Sequence, residues 1–219
     1  MNSPIIQLLV LAGIAIFLIW RLRNVLGTRE GFEKPAVPQK PAHSDPRPEF
    51  EVIEGGPDRD ITDHVAEGSP EAEALAQMKR VEPAFSVTDF VQGARSAYEM
   101  IVTGFDKGDL DGLKPLLDED VYASFAEAVR AREEQGLKIE SEFVGVRETV
   151  IREVSFQRDS NLAEVTMRFV GELTSVVRNA EGDIVEGSPS AIKRQTDVWT
   201  FARTMGAADP NWRLVATGS

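Results

Sequence analysis

Hydrophobic and polar positions change rhythm three times along the 219 residues. Pro4 to Trp20 is an unbroken apolar run whose one strongly polar side chain is Gln7. Residues 27–70 show no sustained apolar period. From Ser86, the apolar residues Phe90, Ala94, Ala97, Tyr98, Ile101, Val102 and Phe105 recur at helical spacing. From Lys138 the period falls to two, as side chains alternate between the faces of a strand.

Capping chemistry divides the helical part. Ser69-Pro70 opens a short helix with Ser at the cap, Pro at the first helical position and Glu71 and Glu73 in the first turn. Its apolar points are Leu75 and Met78. Ser86-Val87-Thr88-Asp89 resembles a capping box and starts a longer helix that Gly104 and Gly108 bracket at its end. Asp109 caps a short helix carrying Leu113, Leu116 and Leu117. Asp118 or Asp120 begins the next, with Val121, Phe125, Ala128 and Val129 on one face and Gly136 as the stop.

In the strand part, Phe143, Gly145 and Arg147 alternate with Val144, Val146 and Glu148, and Val150 to Phe156 continue after a bulge. Arg158 to Asn161 is a turn, and Val165 to Leu173 is a strand with one wet face. Asn179 to Asp183 is a hairpin signal, Val198 to Arg203 a strand, and Asp209-Pro210-Asn211 a turn into a last strand, Trp212 to Thr217. Helices followed by an antiparallel meander predict an α+β domain over residues 71–219, its N-terminal helices packed on a twisted antiparallel sheet.

The apolar run at the start reads as a transmembrane anchor over residues 4–22. Seventeen residues make a helix of about 26 Å, slightly short of a hydrocarbon core of roughly 30 Å. Leu22, Val25 and Leu26 extend its apolar surface. A cleaved signal carries its basic residues before the apolar run, whereas here Arg21, Arg23 and Arg29 follow it. The expectation is an uncleaved, single-pass anchor with everything after Trp20 on the cytoplasmic side. Residues 27–70 hold seven of the twelve prolines, ten acidic and five basic residues, and read as a disordered, acidic tether. Phe50, Val52 and Ile53 are a short apolar run there, either a sticky peptide for a partner or an isolated apolar speck, and His43 and His64 are too few to make a metal site.

Composition narrows the chemistry. A formal charge of −12 speaks against a nucleic-acid partner. With no cysteine there is neither a disulfide framework nor a thiol nucleophile. Residues 71–219 contain no histidine, and no cofactor or metal is expected. The sheet and helices would enclose an apolar interior whose candidate lining is Tyr98, Phe105, Met167, Phe169, Trp199, Phe201 and Trp212. These either fill a core or line a pocket for an acyl chain or an apolar partner segment. Acid–base catalysis would have to rest on Tyr98 with Asp106 or Tyr122 with Asp197, and the expectation is no enzyme.

Five segments, FSVTDFVQGARSAYEMI (85–101), FDKGDLDGLKPLLDEDVYASF (105–125), VRAREEQG (129–136), WTFAR (199–203) and DPNWRLVATG (209–218), resemble one family in order and spacing. It is the C-terminal domain family of the mitochondrial inner-membrane import-motor tether, the forty-four-kilodalton subunit of the presequence translocase, with its bacterial relatives. The resemblance implies a cone-shaped fold, cystatin-like or nuclear-transport-factor-like. It implies an adaptor that holds other membrane or chaperone proteins at the cytoplasmic face of a bacterial inner membrane, in protein transport or membrane-protein quality control. The family's first helix touches anionic lipid, but here Glu71, Glu73 and Glu82 outnumber Lys79 and Arg80. The alternatives are a lipid or acyl-chain binding protein and an enzyme of the cone-shaped isomerase and dehydratase type.

Overall fold

The computed structural model describes residues 56–218, so the expected anchor and most of the expected tether lie outside the described residues. The described elements are α1 (Arg59–Thr62), α2 (Pro70–Val81), α3 (Val87–Lys107), α4 (Leu110–Leu113) and α5 (Glu119–Glu134), then β1 (Lys138–Gln157), β2 (Leu162–Arg178), β3 (Ile184–Thr204) and β4 (Arg213–Gly218). No helix among the described residues is long and apolar enough to cross a membrane.

The helices start where side-chain oxygens meet orphan N–H groups. Ser69 accepts from the Ala72 amide at 3.1 Å, Ser86 from Asp89 at 3.1 Å and Asp118 from Asp120 at 3.0 Å. Helix α3 stops at Gly108, whose φ of 73° is the left-handed conformation that costs a glycine least.

The four strands form one antiparallel sheet in the order β1-β2-β3-β4. Strand β2 lies between β1 and β3, and its Ala163, Val165, Met167, Phe169 and Leu173 are buried at alternate positions. Helices α2 and α3 pack on β1, and Leu75, Met78, Tyr98 and Ile101 join the same core. Strand β1 changes register at Phe143/Gly145, Val146/Glu148 and Ile151/Glu153, so the single bulge expected there is three. Strand β4 is pinned to the α4–α5 connection, where the Leu214 amide donates to the Leu116 carbonyl at 2.8 Å and the Asp118 amide to the Leu214 carbonyl at 2.9 Å. The α+β class and the order of helices and strands follow the sequence reading.

Two boundaries differ from it. The tether was expected to run to residue 70, but Arg59–Thr62 are helical and Ile61 is 5% exposed. The Asp60 carboxylate accepts from the amides of Val87 at 2.7 Å and Thr88 at 2.9 Å, from the Ser86 hydroxyl at 3.1 Å and from Lys79 at 2.8 Å. This turn therefore belongs to the folded body. Strand β3 also begins at Ile184 rather than near Val198, carrying Gly187 and Pro189 through a register shift against β2.

Candidate functional site

The seven residues expected to line one interior cavity are not gathered around one space. Tyr98, Met167 and Phe169 have no exposed surface. The Tyr98 ring stacks on Phe169 with centroids 4.6 Å apart and leans on Trp199 at 4.8 Å, while Phe169 meets Phe201 edge-on at 6.4 Å. This is a filled aromatic spine. The other four residues divide between two clefts: Phe201 and Trp212 reach the first, and Phe105 and Trp199 the second.

The first cleft, about 380 Å³, lies between the N-terminal half of α3 and the turn before β4. Its apolar wall is Phe85, Phe90, Ala94, Ala97, Met100, Phe201 and Trp212, and Gly93 keeps one side low. The Phe90 and Trp212 rings are 4.6 Å apart. A neighbouring hollow shares Met100 and Leu116 and carries the trough along α3 to Lys107. Met100 stands where the two meet and is 51% exposed. At the far end Arg203 pairs with Glu82, donates to the Pro210 carbonyl at 3.0 Å and lies over the Trp212 ring. That guanidinium, together with the Gly206 amide at 2.9 Å, holds the Glu82 carboxyl below its ordinary value. The Arg203 side chain is 8% exposed, and its Nε has no partner among the described residues. Phe85, Phe90, Met100, Glu82 and Arg203 were not among the expected lining. Of these, Phe90 was read correctly as core-facing, and the exposure of Met100 could not be seen in a helical stripe.

The second cleft, about 230 Å³, lies between the C-terminal half of α3, Phe125 of α5 and the β3–β4 pair. Phe105, Phe125, Trp199, Ile101 and Val102 wall it, and Asp106, Asp197, Gln195 and Thr217 are its polar groups. The Phe105 and Phe125 rings are 4.7 Å apart. Neither acid–base pair expected from the sequence is formed as expected. Tyr98 donates its hydroxyl to Asp197 at 2.6 Å, not to Asp106, and Gln195 donates to the same carboxylate at 3.0 Å. The correction has a physical basis. Register places Asp197 opposite Phe169, on whose ring Tyr98 is stacked. Burial, and then the Asp197 hydrogen bond, push the Tyr98 phenol far above its ordinary pKa. A neutral phenol with no exposed surface is a strut between helix and sheet and offers no reacting atom. Asp106 is raised by burial, against the opposing effects of Ser141 and Arg132.

Gly171 makes the strut possible. A Cβ at that position would lie 2.7 Å from the Tyr98 hydroxyl. His64 is held by the Thr88 hydroxyl at 2.9 Å, whereas His43 lies outside the described residues. Among the described residues no three His, Asp or Glu side chains converge as a metal site.

Residues 71–219 match the Tim44-like domain family. The mitochondrial import inner membrane translocase subunit TIM44 of Homo sapiens is 27% identical over 147 residues, which cover 66% of this chain and 32% of that protein. The Mus musculus subunit of the same name is 24% identical over the same shares. The matched region thus spans about a third of the length of these curated relatives. Among solved structures, the intermembrane space region of the chloroplast protein ARC6 aligns at 13% identity with a TM-score of 0.36. That alignment covers 57% of this chain and 94% of that one, too slight a likeness to carry an argument.

Proposed function

The chain belongs to the Tim44-like domain family, and from that premise we propose that it is an adaptor in protein transport, holding partner proteins at a membrane. The observation that carries this reading is the match across residues 71–219, behind an apolar run at the N-terminus. The mitochondrial relatives bear the name of translocase subunits of an inner membrane. The first cleft supports the reading. An open trough with an apolar wall, low at Gly93 and exposed at Met100, suits the apolar side chains of a protein partner. Residues 4–22 act as the membrane anchor, residues 27 to about 57 as the tether, and the domain hangs on the cytoplasmic side of a bacterial inner membrane. Membrane-embedded or chaperone proteins are the partners proposed.

The test is photo-crosslinking of the full chain in its own membranes, with the reactive group at Met100. The expected result is a protein adduct that disappears when Ala97→Trp fills the cleft. A second reading, an acyl-chain carrier, draws on the same apolar wall. Adducts to lipid alone, unaffected by protein partners, would replace the adaptor with that carrier. For topology, alkaline phosphatase fused after residue 219 is expected to be inactive, and strong activity would overturn the cytoplasmic placement.

A further inference from the structure

Helix α3 packs its buried stripe on the sheet and leaves one face without a partner among the described residues. On that face Asp89, Gly93, Ser96, Met100, Thr103 and Lys107 follow one another at alternate spacings of four and three. That repeat of about 3.5 residues keeps a seam turned toward a second helix. All six line one open trough: Asp89 and Gly93 the first cleft, Ser96, Thr103 and Lys107 the neighbouring hollow, and Met100 both. Thr103 is half-buried and the others are exposed.

Two features set this face apart from an ordinary solvated one. Gly93 stands inside the helix, where glycine is less stabilising than alanine, and nothing lies within 4 Å of the position a Cβ would take. The packing of the domain gives no reason for a glycine there, unlike Gly104, whose missing Cβ makes room for Leu113. Close approach of a second backbone does. Asp89 and Lys107, at the two ends, form no ion pair among the described residues. They stand on the same side of the helix, about five turns or about 27 Å apart.

The seam is complementary to itself. When a second α3 runs antiparallel to it, with the two-fold axis level with Tyr98, Asp89 meets Lys107 of the second copy at both ends. In the same register Gly93 meets Thr103 and Ser96 meets Met100, so each small residue faces a larger one. A parallel pair would set Asp89 on Asp89 and Lys107 on Lys107, so charge selects the antiparallel form. The Ser96 hydroxyl already donates to the Gln92 carbonyl at 3.2 Å, and covering it strands no donor. Glu99, in the adjacent row, would lie near Glu99 of the second copy, which keeps the association weak.

We infer that α3 pairs with α3 of a second copy of this chain, antiparallel, through the seam from Asp89 to Lys107. Five turns of mostly small side chains make a small, reversible interface rather than an obligate one. This goes beyond the adaptor reading and does not rest on it. A Met100 crosslink to a second copy has twice the mass of the chain, and a crosslink to a foreign protein does not.

The test is sedimentation of the purified full chain in detergent, with charge reversals at the ends of the seam. Asp89→Lys alone and Lys107→Asp alone each turn two attractions into two repulsions, and each is expected to weaken self-association about tenfold or more. An equal mixture of the two variants restores both pairs and is expected to associate like the parent. Glu99→Gln is expected to tighten the pair. Circular dichroism checks that each variant is folded. If either reversal fails to fold, cysteine crosslinking in the chain's own membranes decides the matter, since the chain has no cysteine of its own. Under mild oxidation, chains carrying Ser96→Cys mixed with chains carrying Met100→Cys should form a disulfide several-fold faster than either forms one with Ala131→Cys, at an exposed position of α5. The inference is overturned if the parent sediments as a monomer at submillimolar concentration, or if the reversed variants associate as the parent does, as they would through the N-terminal apolar run. It is equally overturned if the mixture stays as dissociated as its components, or if the disulfide between positions 96 and 100 forms no faster than the controls.

Discussion

Replacing Asp60 with alanine removes the carboxylate that fastens α1 to the start of α3. Its partners are the first two amides of that helix, Val87 and Thr88, the Ser86 hydroxyl and the Lys79 ammonium. Ser86 still caps Asp89, so the helix keeps its own cap and loses the second one. Loss of a capping acceptor costs about 1 kcal/mol, and a half-buried ion pair adds up to about 1 kcal/mol. The expected loss is therefore about 2 kcal/mol, with a fall in Tm of about 4–8 °C for a domain of this size. Urea unfolding of the full chain and of the Asp60→Ala variant measures it, and Asp60→Asn should fall between them. The dependence on pH gives a sharper check. Burial tends to raise the Asp60 pKa, but the hydrogen bonds from Lys79, Thr88 and Val87 prevail and hold it well below the ordinary 3.8. A carboxylate with a depressed folded-state pKa stabilises fully above its unfolded value and loses that contribution as pH falls toward the folded one. The gap between parent and variant should be constant from pH 7 to about pH 5 and narrow below about pH 4. A gap under about 0.5 kcal/mol at neutral pH, or one that widens on acidification, would refute the reasoning.

Gly171→Ala should cost about 1–3 kcal/mol by overpacking against the Tyr98 hydroxyl, and less in a Tyr98→Phe background; strictly additive losses in a double-mutant cycle would contradict this. Glu82→Ala removes the carboxylate partner of Arg203, which keeps only the Pro210 carbonyl and the Trp212 ring, and should cost about 1–3 kcal/mol in urea unfolding, with the parent's advantage fading as pH drops below about 4.5 because the Glu82 pKa is depressed. Met100→Gln, at a half-exposed site, should leave stability within about 0.5 kcal/mol while reducing partner crosslinking from a reactive group placed at Gly93.

Legibility in the sequence followed the range of the interaction. Ser69, Ser86 and Asp118 announce their helices because a cap bonds an amide two or three residues away. The alternation of Val165, Met167 and Phe169 announces β2 because burial on one face repeats every second residue. The early start of β3 was hidden, since glycine and proline weaken a strand pattern at 187 and 189, while pairing of Gly187 with Val176 and Ser188 with Ser175 holds the segment in the sheet. Helix α1 was hidden for a similar reason. Its four residues are stabilised by Asp60 acting on amides 27 and 28 positions away. Of the aromatic residues along the two clefts, Phe105, Trp199, Phe201 and Trp212 were named as lining from the sequence, whereas Phe85, Phe90 and Phe125 were not, and the grouping was not legible. Whether Trp199 and Phe105 share a cleft while Tyr98 and Phe169 fill the spine depends on strand register and helix placement, which no spacing within one segment encodes.

The tyrosine strut has a consequence for how this domain can change over time. The hydroxyl of Tyr98 occupies the room a methyl group at 171 would need, and its proton is given to position 197, 99 residues away. Enlarging the glycine is least costly once the phenol is shortened, and shortening it leaves Asp197 with one donor fewer. The three positions constrain one another physically, so a helix grafted onto this sheet should keep its stability best when the residues at 98, 171 and 197 are matched.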